Sequence, residues 1–176
     1  MNETEEFLAA VMPRLTEAEI ALHNGDADLR IAMWSRDEPV SLLGAAITTT
    51  GWTQARRTFE RLGATFSNCT GYETEILAAW ASGDLAYLVA LEHTTASLNG
   101  GPPESYTLRA TTVFRREDGE WRIVHRHGDS LKAQTGHRLA QQLQSGDSEL
   151  PAAGHDGWCS AWNCSNIGQM ASPSST

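Results

Sequence analysis

The stretch REDGEWRIVHRHGDS, residues 116–130, predicts a tight turn followed by a β-strand. Its Asp118-Gly119 dipeptide is typical of a two-residue hairpin turn. Alternate residues of a strand point to the same side of a sheet, and the side with Trp121 and Ile123 should face the core. The same alternation continues along the strand and predicts three inward-facing polar residues: His125, His127 and Asp129.

Three earlier stretches show the same period of two and predict, with this strand, a four-stranded antiparallel meander. They are residues 72–80, 85–98 and 105–116. The residues before them predict a short strand at 40–43 and three helices, over 3–23, 26–34 and 50–63. Helices that precede a run of strands indicate an α+β domain.

Two-residue loops at Ser82-Gly83 and Asp118-Gly119 would set the register of both hairpins. The first loop pairs Trp80 with Leu85, and the second pairs Thr112 with His125. The side predicted to pack under the helices then carries a polar and aromatic set: Tyr72, Tyr87, His93, Thr112, His125, His127 and Asp129. The opposite side would carry charged residues: Glu73, Glu75, Glu92, Arg109, Arg115, Arg122 and Arg126.

Composition narrows the class of protein. The 176-residue chain has a net charge of −9, and phosphate binding needs clustered Lys and Arg, so no nucleic-acid partner is expected. No apolar run approaches the ~20 residues of a membrane helix, so no membrane partner is expected. The N-terminus lacks the basic and apolar regions of a signal peptide, and a cytoplasmic location is therefore expected.

Several motifs together resemble a known family. They are HNGD at 23–26, GW at 51–52, SGDLAYLVALE at 82–92 and LRATTVFRREDGEWRIVHRH at 108–127. Over about residues 5–132 the chain resembles the SnoaL-like branch of the nuclear transport factor 2-like (ketosteroid isomerase-like) superfamily. The resemblance implies a cone, in which a curved sheet wraps on the N-terminal helices around a pocket, and commonly a homodimer. Members include cofactor-free isomerases, cyclases and dehydratases, and also non-catalytic binding or association modules.

A catalytic pair follows from the resemblance. In cyclase and isomerase members an inward acid or a His–Asp pair moves a proton on carbon, and His127 and Asp129 occupy positions that suit this role. Burial in an apolar cone would shift the pKa of such groups toward values useful for a general base. The alternative is that both residues lie near the end of the strand and only cap the core.

The predicted pocket would bind a small apolar or aromatic molecule. Its candidate ligand-binding residues are aromatic or polar: Trp34, Trp52, Tyr72, Tyr87, His93, Thr112 and His125. His125 and His127 also have the spacing of metal ligands on one strand face, with Asp129 or His93 as a third ligand. Two histidines alone are a weak signal, so neither a metal nor a cofactor is predicted.

The chain after the cone domain, residues 1–132, changes in composition. Residues 133–144 predict a helix, and residues 145–176 predict a flexible tail with two Trp and two Cys. DSELPAAG, followed by a segment with Cys and Ser, resembles the leader–core junction of ribosomally made, modified peptides. That resemblance implies a core at 155–176, processed by peptide-modifying enzymes at four candidate residues: Cys159, Ser160, Cys164 and Ser165. A metal site formed by the two cysteines and His155 is a further alternative.

Overall fold

The computed structural model describes residues 1–44 and 47–131. Its helices are α1 (Glu3–Leu22), α2 (Asp28–Ala32) and α3 (Trp52–Thr65). Its strands are β1 (Ser41–Gly44), β2 (Ile47–Thr50), β3 (Phe66–Ser82), β4 (Leu85–Leu98), β5 (Pro103–Glu117) and β6 (Glu120–Ser130). The predicted α+β class is confirmed. The predicted helix at 133–144 and the tail at 145–176 lie outside the described residues.

The strands form one curved, unclosed sheet in the order β2-β1-β6-β5-β4-β3. β3 to β6 make the predicted antiparallel meander. β1 pairs with β6 in parallel and with β2 in an antiparallel hairpin, so a short two-stranded unit extends the sheet beyond β6. The sequence predicted only the first of these two strands.

Helix α1 supplies one wall of the core. Its N-terminus is fixed by a capping box, in which the Asn2 side chain accepts from the Glu5 amide at 2.9 Å and the Glu5 carboxylate accepts from the Asn2 amide. The apolar face of the helix is buried: Phe7, Val11, Leu15, Ala18 and Leu22. Ile20 lies off this face and is exposed. Burying each large side chain stabilises the fold by about 1.5–3 kcal/mol.

Aromatic contacts join this helix to the last hairpin. The Phe7 ring lies edge-on to Phe114 and Trp121, with centroid distances of 5.1 and 5.2 Å. Trp34 packs on Phe59 at 5.2 Å and is 2% exposed. Trp34 is therefore a core residue, although the sequence predicts it as a ligand-binding residue.

The β5–β6 hairpin has the predicted register next to its turn. Asp118 and Gly119 both have positive φ, as a type I′ turn requires, and Arg116 pairs with Trp121. A bulge at Val124 then adds one residue to β6, so His125 pairs with Val113 and not with Thr112. One added residue turns every later side chain to the other face. The predicted inward orientation of three residues is therefore wrong: His125, His127 and Asp129.

Strand β4 also presents the opposite side to that predicted. Its buried residues are mostly small or polar: Ala86, Leu88, Ala90, Glu92 and Thr94. The turn is Gly83-Asp84, since Ser82 pairs with Leu85 and Trp80 pairs with Tyr87. The inward residues of β4 belong to the core cluster that includes the apolar residues of α1, and larger apolar residues such as Leu85 point outward. Tyr87 and His93, predicted inward, lie on the outer face.

Strand β3 carries a second bulge, between Ile76 and Ala78. Beyond it Tyr72 pairs with Thr94 and Thr74 pairs with Glu92, which places Tyr72 on the inner side, as predicted. None of the helices in the described ranges is both long enough and apolar enough to cross a membrane.

Candidate functional site

A cavity of about 280 Å³ lies between the helices and the inner side of the sheet. Its apolar lining comes from the end of α1, from β1 and β2, from α3, from the start of β3 and from β5: Leu22, Leu42, Leu43, Ile47, Phe59, Leu62, Phe66 and Leu108. Its polar lining is a compact set: Glu19, His23, Arg30, Tyr106, Arg126 and Ser130. We call this space the inner cavity. Such a mixture of apolar walls and few polar groups suits a small, mostly apolar ligand.

His23 and Tyr106 form a hydrogen-bonded pair in the wall of the inner cavity. The His23 Nδ1 atom donates to the Glu19 carbonyl at 2.7 Å, since a carbonyl oxygen only accepts. The Nε2 atom lies 2.6 Å from the Tyr106 hydroxyl. Burial raises the pKa of the Tyr106 phenol to about 12, so this hydroxyl keeps its proton at neutral pH.

Glu19 and Arg30 form a second buried pair behind His23. The Arg30 Nε atom lies 3.0 Å from Glu19 Oε1, and both side chains are at most 5% exposed. The guanidinium also lies 5.5 Å from the centroid of the Phe59 ring. Burial lowers the pKa of Arg30, while the charge of Glu19 opposes that shift. The two terminal nitrogens of Arg30 are buried and have no hydrogen-bond partner among the described residues.

Glu92 and Arg126 form the third group. Arg126 donates to the two Glu92 carboxylate oxygens at 2.8 and 2.5 Å and to the Thr112 hydroxyl at 3.4 Å. Burial alone would raise the pKa of Glu92, but the charge and hydrogen bonds of Arg126 hold it below its ordinary value of 4.5. Both side chains are thus charged inside the sheet. The sequence placed both on the outer side, and that prediction is wrong.

The predicted catalytic residues lie elsewhere. His127 is exposed, and Asp129 makes an ion pair with Arg109 on the outer face. The hydrogen bond from Arg109 holds the pKa of Asp129 below its ordinary value. His125 Nδ1 lies 2.8 Å from the Ser41 hydroxyl, and burial together with the nearby His127 lowers its pKa. The structure therefore does not bring these groups to the inner cavity.

Of the other predicted ligand-binding residues, Tyr72 and His93 line a second, open pocket, and the rest are dispersed. Thr112 is buried and contacts Arg126, as an inward position allows. Tyr72 is half-buried, accepts from Thr74 at 3.2 Å and does not line the inner cavity. Burial raises the pKa of its phenol.

Three more of these residues lie away from the cavity. Trp52 begins α3, where its amide donates to Glu38 at 2.7 Å. Tyr87 stacks on Trp80 on the outer face, and His93 lies there beside Thr107 at 3.0 Å.

The residues that do line the inner cavity were missed by the sequence reading. One signal was present for Glu19, because it follows Leu15 by four residues and so lies on the buried face of α1. A carboxylate at such a position needs a buried partner. Tyr106 and Arg126 gave no comparable signal, since their orientation depends on the strand register. No cluster of three or more His, Cys, Asp or Glu suited to a metal occurs within residues 1–44 and 47–131.

Comparisons with known proteins agree with this architecture. A nuclear transport factor 2-like protein from Salmonella enterica serovar Typhimurium is 23% identical, with a TM-score of 0.60 over 76% of this chain and 94% of that chain. A protein of the same family from Streptomyces avermitilis, provisionally described as a dehydratase, is 20% identical, with a TM-score of 0.58 over 73% and 99%. A ketosteroid isomerase-like protein from Erwinia carotovora atroseptica is 18% identical, with a TM-score of 0.59 over 75% and 99%.

At these identities the likeness shows the fold. A search of curated proteins finds no match. The family pattern of the SnoaL-like domain matches residues 11–131, which is more than half of the chain and includes most of α1 and the whole sheet. The chain therefore belongs to the SnoaL-like domain family.

Proposed function

We propose that the protein binds a small, mostly apolar carbonyl compound in the inner cavity and moves a proton on it without a cofactor. His23 and Tyr106 are the acid–base pair in this proposal. The observation that carries it is the 2.6 Å contact between His23 Nε2 and the Tyr106 hydroxyl in the wall of a cavity with apolar sides. Isomerisation, cyclisation and dehydration are the reaction types that such a pair serves.

The pair can act in two directions. With the imidazole neutral, Nδ1–H is held by the Glu19 carbonyl, so Nε2 accepts the phenol proton and the phenol oxygen is left to accept from a ligand hydroxyl. With the imidazole protonated, Nε2–H donates to the phenol oxygen, and the phenol proton is free to donate to a ligand carbonyl. The protonation state of His23 thus sets whether Tyr106 takes or gives a hydrogen bond in the cavity.

Burial of the Tyr106 phenol also favours its role as a hydrogen-bond donor. A phenol with a raised pKa is a neutral donor that can stabilise the oxyanion of an enol without losing its own proton. The names of two structural neighbours, dehydratase and ketosteroid isomerase-like, are the reason for choosing carbonyl substrates.

The experiment is hydrogen–deuterium exchange at the α-carbon of 2-tetralone, a small bicyclic ketone, followed by proton NMR in D₂O with the full chain. We expect exchange faster than in buffer, and a loss of about 10²- to 10⁴-fold in His23→Gln or Tyr106→Phe. His127→Gln and Asp129→Asn serve as matched controls on the outer face and should keep the wild-type rate. A full rate in both inner variants would refute the acid–base assignment, and a loss confined to the outer variants would return the role to His127 and Asp129.

A homodimer is part of the proposal, formed through the outer face of the sheet. Three large apolar residues near the β3–β4 turn are exposed there: Trp80 at 49%, Leu85 at 53% and Tyr87 at 38%. Acidic residues lie on β3 and basic residues on β5, so a two-fold axis would allow opposite charges of two copies to meet. Exposed apolar area of this kind is typical of protein interfaces.

Two other functions rest on the sequence alone. A non-catalytic binding module would occupy the same cavity and accelerate no exchange. A precursor function would make the segment 155–176, outside the described residues, a product modified at Cys159, Ser160, Cys164 or Ser165 in the cytoplasm. An intact mass from the native host tests the latter, because dehydration removes a water for each modified Ser, whereas an unchanged full-length mass would refute it.

A further inference from the structure

We infer that the ligand of the inner cavity carries a carboxylate, bound by Arg30 with help from Arg126, on an otherwise apolar body. This inference names the ligand class and rests on the proposal that the cavity binds a small molecule. Its starting point is Arg30, a guanidinium that lines the cavity, is 1% exposed, and leaves both terminal nitrogens without a partner among the described residues.

The charges around the inner cavity balance, so the case for an anion rests on unpartnered donors. Glu19, Arg30 and Arg126 are the charged groups that the described residues give to the lining, and Glu92 lies directly against Arg126. Two negative and two positive groups therefore leave this buried cluster without net charge. The donors still available to a ligand are the two terminal nitrogens of Arg30, which have no partner among the described residues, and donors carried by a cation favour an anionic acceptor.

The two cations also affect each other. Burial is the main reason that the pKa of Arg30 is lowered, and the nearby charge of Arg126 lowers it further. Glu19 offsets part of this cost through the Nε atom alone. An anion near the terminal nitrogens would relieve both the missing hydrogen bonds and the repulsion between the two guanidinium groups. The planar fork of an arginine matches a carboxylate with two parallel hydrogen bonds.

Arg126 is open toward the same space. A Cβ atom at residue 128 would lie 3.5 Å from a terminal nitrogen of Arg126, but Gly128 has none, so this part of the cavity lining stays uncovered. The rest of the lining is apolar and surrounds about 280 Å³, which is enough for a bicyclic acid. The ligand class is therefore a compact aryl or alicyclic carboxylate.

The test compares 2-naphthoate with 2-naphthamide, a neutral molecule of nearly the same shape, by calorimetric titration of the full chain. We expect the carboxylate to bind at least about ten-fold more tightly, as hydrogen bonds to charged groups predict. The preference should disappear in Glu19→Gln/Arg30→Met, which removes the pair without leaving a lone buried charge. The matched control, Glu60→Gln/Arg56→Met, removes an exposed pair on α3 and should keep the preference.

Each outcome separates the two proposals. Equal binding of the acid and the amide, or an unchanged preference in Glu19→Gln/Arg30→Met, overturns the carboxylate inference and leaves the cavity as a ligand site. Failure of both compounds to bind overturns the carboxylate inference, and the exchange of 2-tetralone then decides the proposed function separately. If the double variant does not fold by circular dichroism, Arg30→Lys, which keeps the charge and loses the fork, replaces it. A preference undiminished in Arg30→Lys would then count against the inference.

Discussion

Arg126 on β6 extends past β5 and donates to both carboxylate oxygens of Glu92 on β4, at 2.8 and 2.5 Å. The pair ties together three strands of the inner sheet. Glu92→Gln leaves the buried guanidinium without its counter-charge, so we expect a loss of about 3–5 kcal/mol in the free energy of unfolding, measured by urea denaturation. Glu75→Gln is the matched control, because Glu75 is 58% exposed beside His93, and it should change stability by no more than about 0.5 kcal/mol.

Removing both charges of the Glu92–Arg126 pair provides a second test of its contribution to stability. Glu92→Leu/Arg126→Met keeps the volume and removes both desolvation costs, so it should recover most of the stability lost in Glu92→Gln. If the single variant is as stable as the wild type, Arg126 is satisfied by other groups, and the pair does not hold the strands together.

The acid stability of the protein should depend on Glu92. Burial would raise the pKa of this carboxyl, but Arg126, with a smaller effect from Arg30, holds it below 4.5. A group with a lowered folded-state pKa contributes its full stability above the unfolded-state pKa and loses it as the pH falls toward the folded-state value. We therefore expect the free energy of unfolding, measured by urea denaturation, to decline below about pH 4.5. The contribution of this group is at most about 1.4 kcal/mol per pH unit.

The comparison variant for this experiment is Glu92→Leu/Arg126→Met. It lacks the titrating carboxyl, and its stability should decline less steeply in the same pH range than that of the wild type. Identical slopes in the two proteins would mean that other carboxylates account for the acid sensitivity.

The fold could be predicted from the sequence because its strongest signals are local. The turn at Asp118-Gly119, the helical spacing of α1 and the presence of the strands of the meander each depend on neighbouring residues, and the structure confirms them. The site depends instead on strand register. The bulge at Val124 has no distinct sequence signal, since a valine fits a regular strand equally well, yet it turns Arg126 inward and His127 outward.

The prediction of which side of β4 faces inward was wrong for a different reason. Both sides of this strand are apolar, and the side with the larger residues, Leu85 and Tyr87, was predicted to be buried. Ala86 and Ala90 instead belong to the buried core cluster that includes the apolar residues of α1, although hydrophobicity alone ranks them lower than the residues on the other side of the strand.

The corrected orientation of β6 can be measured by thiol labelling. In a background with the three native cysteines replaced by Ser, His127→Cys should react with a maleimide quickly, since residue 127 is exposed. Leu88→Cys, at a position 2% exposed on the inner side, should react at least about ten-fold more slowly, because it needs local opening. Equal protection at both positions would restore the regular register without a bulge.

The outer face gives the last prediction. Trp80 stacks on Tyr87 with ring centroids 6.3 Å apart, although both rings are exposed. If two copies associate through this surface, Trp80→Asp places a charge in the centre of an apolar contact and should weaken the dimer by about thirty-fold or more, as the loss of an interface tryptophan commonly does. Analytical ultracentrifugation over a range of concentrations measures this shift.

Leu29→Asp introduces the same charge at a 41% exposed position on α2, away from the sheet, and should leave the association unchanged. A wild-type chain that sediments as a monomer at every concentration refutes the dimer, and equal weakening by both variants places the contact elsewhere.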